Sequence, residues 1–157
     1  MNYRLRSGEP VSDRLHSHVK PSALPYLAEA LGKIDSENRS LIEAEVEMGR
    51  IIGDCLCVRT EPNDEIVYAQ RVDRGGRYTR FVKDRQPTPS TNLVVIAKKS
   101  GFHPNYFIIT AWIGKLAQPE PGDQNERPES LPFWSEHALV WGTMEIIPET
   151  ETPVCPW

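Results

Sequence analysis

Apolar positions early in the chain recur at intervals of three and four. In SALPYLAEALGKI, beginning at Ser22, Leu24, Leu27, Ala28 and Leu31 keep that spacing, and Pro25 falls near the first turn, where a missing N–H is tolerated. This stretch predicts a helix that Gly32 weakens at its end. A second helix is predicted from Asp35 or Ser36, both good N-caps, to Met48. Leu41, Ala44, Glu45 and Met48 recur at three and four, Ile42 and Val46 widen the stripe, and Gly49 can terminate it. From Ile51 the period falls to two. Leu56, Val58 and Thr60 mark a strand, Pro62-Asn63-Asp64 a turn, and Glu65 to Gln70 its hairpin partner. Tyr78 to Lys83 follows the Gly75-Gly76 turn, and Asn92 to Ala97 and Tyr106 to Trp112 are further strands.

These elements define an α+β fold: N-terminal helices followed by a four- or five-stranded antiparallel sheet, with an acidic, Pro-rich C-terminal extension. A length of 157 residues is enough for one hydrophobic core, so residues 1–157 are expected to form a single domain. Within it, residues 15–114 make the core and residues 115–157 a packed extension. Eight acidic residues and one arginine lie between Gln118 and Glu151, where prolines limit element length. Leu131 to Trp141 carries Phe133, Trp134, Leu139 and Trp141 and is expected to pack, with a short helix around Ser135 to Leu139.

Hydrophobic residues at 39% and charged residues at 25% exclude a disordered tail, and no apolar run approaches the roughly 18 residues of a spanning helix. The start, MNYRLRSGEP, has no apolar signal core, so a cytoplasmic protein without membrane contact is expected. Cys55, Cys57 and Cys155 are an odd number, with no Cys-x-x-Cys pair, and read as small buried side chains. His16, His18, His103 and His137 show no ligand rhythm, and Gly75-Gly76 fits no phosphate-binding loop. Neither a metal nor a cofactor is expected.

Charge sharpens the picture. The chain carries a formal −4, yet Ile66 to Arg85 holds Arg71, Arg74, Arg77, Arg80, Lys83 and Arg85 against only Asp73 and Asp84. Focused positive charge in an acidic protein points to an anion site. Histidine exchanges protons near neutrality and arginine presents a fixed fork to phosphate oxygens. Together they suit RNA cleavage by 2′-hydroxyl attack, giving a 2′,3′-cyclic phosphate without a metal. The candidates for catalysis are His18 and His137 for proton transfer, Arg74 and Arg80 for phosphate charge, and Thr110 for positioning, with His16 in reserve. Arg71, Tyr78 and Lys83 are candidates for substrate binding, Tyr78 or Phe81 being able to stack a splayed base.

The landmarks LHSHVKP, GRIIGDCLCVRT, DEIVYAQR, RYTRFVKDR and YFIITAWIG, in that order, resemble the barnase, EndoU, colicin and RelE-like superfamily of small ribonuclease toxins. The resemblance spans Leu15 to Gly114. ITAW looks like the threonine-alanine-aromatic signature on a late strand of that group, RYTRFV like its preceding basic strand, and His18 like its amino-terminal histidine. The tail looks like a feature of a subfamily of small bacterial or phage proteins. What the resemblance implies is helices ahead of an antiparallel sheet, a toxin-type ribonuclease acting on RNA, often transfer RNA, and a dedicated antitoxin or immunity protein as partner. Two other readings of the residues stand beside it. One is a non-catalytic phosphate- or protein-binding module in which the histidines are structural, and the other is a metal-dependent hydrolase.

Overall fold

The computed structural model describes residues 3–14 and 18–157. In chain order its first elements are β1 (Tyr3–Arg4), β2 (Pro10–Val11), β3 (His18–Val19), a 3-10 helix (Pro21–Tyr26), α1 (Leu27–Leu31) and β4 (Leu41–Glu47). Then come β5 (Gly53–Cys55), β6 (Cys57–Arg59), β7 (Ile66–Gln70), a 3-10 turn (Val72–Arg74), β8 (Tyr78–Val82) and β9 (Thr88–Ser90). The chain finishes with β10 (Asn92–Lys99), β11 (Tyr106–Ile113), α2 (Ser130–Glu136) and β12 (His137–Val140). The fold is α+β with few helices. It divides into two compact units, Met1–Asp54 with Pro89–Leu116, and Cys55–Thr88 with Ala117–Trp157.

In the first unit the sheet order is β1-β2-β11-β10-β4, and β3 also pairs with β11. β10 runs antiparallel to both β11 and β4, whereas β2 and β3 run parallel to β11. The sheet is therefore mixed, not antiparallel as expected. Only the first of the two expected helices forms. Pro21 and Pro25 withhold amide donors, so the chain starts as a 3-10 helix and becomes α-helical only after Pro25. Ala23, Leu27, Ala30 and Leu31 are buried in the same core as Leu93, Val95, Ala97, Ile108 and Ala111.

The helix expected over Asp35 to Met48 is instead turn followed by β4. LIEAEVEM alternates strictly: Ile42, Val46 and Met48 are buried with Ala44 packed beside them, while Glu43, Glu45 and Glu47 take the opposite face. A strand meets that period fully, whereas a helix would drag Glu45 onto the apolar side. β10 supplies the partner that β4 requires.

The second unit holds a sheet in the order β6-β12-β8-β7. The hairpin expected between Leu56–Thr60 and Glu65–Gln70 does not form, because β12 takes the place beside β6. β7 pairs instead with β8, antiparallel, and Gly75 and Gly76 turn that hairpin with φ of 62° and 85°. β12 lies between β6 and β8, antiparallel to the former and parallel to the latter, so part of the C-terminal region is interior to the sheet. The short helix forms at Ser130–Glu136, and the chain is already extended at His137. Farther on, Thr152 and Tyr68 exchange main-chain hydrogen bonds of 2.8 Å along the open side of β7. No helix among the described residues is long and apolar enough to cross a membrane.

Candidate functional site

Strand register assembles one chemically mixed row in the first unit. Thr110 on β11 is paired with His18 on β3, with Ile96 on β10 at its other side, and Ile96 is paired with Glu43 on β4. Residues directly opposite one another share a sheet face, so Thr110, Ile96 and Glu43 lie opposite the α1 side of the sheet. The neighbouring row, Val19, Ala111, Val95 and Ala44, belongs to the core face. Three inter-strand steps separate His18 from Glu43, about 14 Å between backbones. Thr110, Ile96 and Glu43 are each half-buried.

The surroundings hold this row in place. On one side, Trp112 donates its indole N–H to the Lys115 carbonyl at 3.1 Å, and Glu45 accepts from the Leu116 amide at 2.7 Å. Glu45 and Trp112 flank Val94 in register, so the chain at 115–116 closes over Val94. On the other side lies the row of Leu41, Lys98 and Phe107, with Lys98 exposed. Lys20, two residues beyond His18 in extended backbone, is exposed as well. The bulge between Ile96 and Ala97 shifts the pairing of β10 with β11 so that Ile96 faces Thr110 and Ala97 faces Ile108.

The sequence-expected cations gather in the second unit and are largely occupied there. Arg71 forms two 2.8 Å hydrogen bonds to Asp73 and a 3.1 Å bond to Glu120. Arg74, 8% exposed, donates to the Tyr78 carbonyl at 2.7 Å and places Nε 3.3 Å from Glu120. Its Nη2 is an ion-pair neighbour of Asp123 at 3.9 Å but has no hydrogen-bond acceptor, and Glu120 Oε1 has no donor. Burial lowers the pKa of Arg74 from the ordinary arginine value, with Glu120 opposing the shift. Arg77 donates to the carbonyls of Arg74 and Gly122, Arg85 to Asp64, and Lys83 pairs with Glu65 and lies over Trp141.

Arg80 and His137 do meet, through the main chain. Arg80 Nη1 donates to Thr60 Oγ1 and to the His137 carbonyl, both at 3.0 Å. The His137 ring stacks on Phe133 at 4.0 Å and 4°, and Nδ1 lies 3.0 Å from the Phe133 carbonyl. A carbonyl only accepts, so Nδ1 carries the hydrogen in that bond. Burial raises the pKa of the Tyr68 hydroxyl, with Cys155 adding to the shift and Arg80 opposing it. Tyr78 lines a pocket of about 290 Å³ with Arg77, Pro121, Pro156 and Trp157.

Of the sequence candidates, His18 and Thr110 are therefore neighbours in the first unit. Arg71, Arg74, Tyr78, Arg80, Lys83 and His137 belong to the second, and His16 lies outside the described residues. Glu43 joins His18 and Thr110 in their row and was not a sequence candidate. The alternation of LIEAEVE would have placed it on an open strand face, and reading that segment as a helix hid it. Among the described residues no group of three or more His, Cys, Asp or Glu side chains is arranged to hold a metal ion. Comparison of the chain with protein-family models, curated proteins and solved structures finds no significant match in any of the three.

Proposed function

We propose that the protein is a metal-independent endoribonuclease whose reacting centre is the row of His18, Thr110 and Glu43. The observation that carries this reading is the register: a histidine and a carboxylate stand at opposite ends of one sheet row with a threonine between them. In-line transesterification needs a base at the 2′-hydroxyl and an acid at the leaving oxygen, on opposite sides of phosphorus. Glu43 takes the 2′-hydroxyl proton as the 2′-oxygen–phosphorus bond forms. His18 as imidazolium gives its proton to the 5′-oxygen as the phosphorus–oxygen bond breaks. The Thr110 hydroxyl and the exposed Lys98 and Lys20 meet charge on the non-bridging oxygens. The products are a 2′,3′-cyclic phosphate and a free 5′-hydroxyl.

On this reading Arg71, Arg74 and Arg80 support the fold of the second unit. The substrate is structured RNA such as transfer RNA in the cytoplasm, and a dedicated inhibitor protein would suit a toxin-type enzyme. The test is incubation of the purified protein with total and transfer RNA in EDTA, followed by end-group analysis. Cyclic-phosphate ends are expected, with losses of about 10²–10⁴-fold in Glu43→Gln and His18→Ala. Unchanged cleavage in both variants would sink the assignment. A binding module is the second reading, favoured by the pocket of Arg77, Tyr78 and Trp157. Intact RNA that is nevertheless bound, and released by Arg77→Ala, would select it.

A further inference from the structure

β4 is the last strand of its sheet order. Met48 donates to the Thr91 carbonyl and Lys99 to the Ser40 carbonyl, in each case to the residue directly opposite in the β4–β10 register. Antiparallel ladders alternate, so the even-numbered residues of β4 bond to β10 and the amide and carbonyl of Glu45 and Glu47 point to the open side. The Glu47 carbonyl accepts there from Lys33 Nζ at 3.4 Å. A groove of about 340 Å³ runs along this edge, floored by Ala44–Glu47 and walled by Lys33, Asp35, Glu37 and Arg39. Four residues of strand give it a length of about 13 Å.

The far wall is fixed before anything binds. Arg6 grips the Asp35 carboxylate through Nε at 3.0 Å and Nη2 at 2.8 Å. Arg39 donates to the main-chain carbonyls of Asp35 at 2.9 Å and Ser36 at 3.1 Å. Its own carbonyl accepts the hydroxyl of Tyr106, which is buried in the core. An edge strand facing a rigid wall leaves a slot with strand-pairing groups along one side.

Charge selects the occupant. A strand in the slot would set alternate side chains beside Glu45 and Glu47 and the intervening ones beside Ala44, Val46 and Ile34. A second copy pairing β4 to β4 would bring glutamates against glutamates, which is unfavourable across strands. We propose that the groove takes an extended segment of another protein as an added strand, with lysine or arginine at alternate positions and small apolar residues between them. This site stands apart from the ribonuclease reading and does not depend on it.

The probe is a capped heptapeptide alternating lysine and valine, titrated into the full chain and followed by binding and amide hydrogen exchange. Saturable binding is expected, with exchange at the Glu45 and Glu47 amides slowed at least about tenfold while Ala44 and Val46, already in the β10 ladder, change less. Glu45→Pro, which removes an outward-facing donor, should weaken binding at least about tenfold. Several outcomes would overturn the proposal: no binding, binding without slowing at Glu45, or full affinity in a folded Glu45→Pro protein. So would equal binding of a glutamate–valine peptide, or protection of Glu45 that rises with protein concentration alone and thus reports a second copy.

Discussion

Arg74 carries catalytic-looking chemistry inside a buried network of ion pairs. The residue is 8% exposed, its guanidinium holds the Tyr78 carbonyl, and it shares Glu120 with Arg71. The sequence reveals a cation in a basic run. It does not reveal that the answering carboxylates arrive from Glu120 and Asp123, more than forty residues later. Removing one partner of a buried pair leaves the other charge uncompensated, so Arg74→Met should cost about 3 kcal/mol in urea unfolding. The remaining Arg71 contact keeps the loss at the lower end of that range, and Arg74→Met combined with Glu120→Gln should recover part of it. A change below about 1 kcal/mol in the single variant would show that Arg74 bears little of the fold and restore it as a ligand for anions. His18 and Thr110 were legible as chemistry, but their pairing was not, because β3 and β11 are remote in sequence and only the parallel register joins them.

β4 carries the clearest lesson at the scale of elements. Leu41, Ala44, Glu45 and Met48 can be threaded on a helical stripe, whereas Ile42, Ala44, Val46 and Met48 keep the period of two without counting a glutamate as apolar. The two patterns rank different residues as core. A helix built on the first stripe buries Leu41, while the strand leaves Leu41 37% exposed and Ile42 fully buried. Ile42→Ala should therefore cost about 2–5 kcal/mol and Leu41→Ala less than about 1, measured by urea denaturation. The reverse order would return this segment to a helix and dissolve the row that places Glu43. The β7–β8 hairpin and the β10–β11 pair were readable, since each is local and closed by a turn of its own. β12 was not, because its neighbours β6 and β8 lie more than fifty residues upstream.

At the scale of the whole molecule, charge is distributed against the expectation drawn from the arginine run. Met1–Asp54 with Pro89–Leu116 holds ten basic and nine acidic residues, whereas Cys55–Thr88 with Ala117–Trp157 holds eight basic and thirteen acidic. The basic run belongs to the more negative unit. A linear reading could not foresee this, because the acidic C-terminal region joins the very unit that contains the arginines. Among the described residues, RNA held over the His18–Thr110–Glu43 row would meet two cations, Lys20 and Lys98, and release few counterions. With a 2′-deoxy analogue that binds without being cut, the logarithm of affinity should fall against the logarithm of salt with a slope of about −1.4, as two phosphate contacts on a single strand require. Lys98→Glu should remove about 0.7 of that slope, and Arg77→Glu should leave it unchanged. A slope near about −3 that collapses with Arg77→Glu would instead place the nucleic acid on the second unit. The row in the first unit would then have lost its substrate, whatever its register.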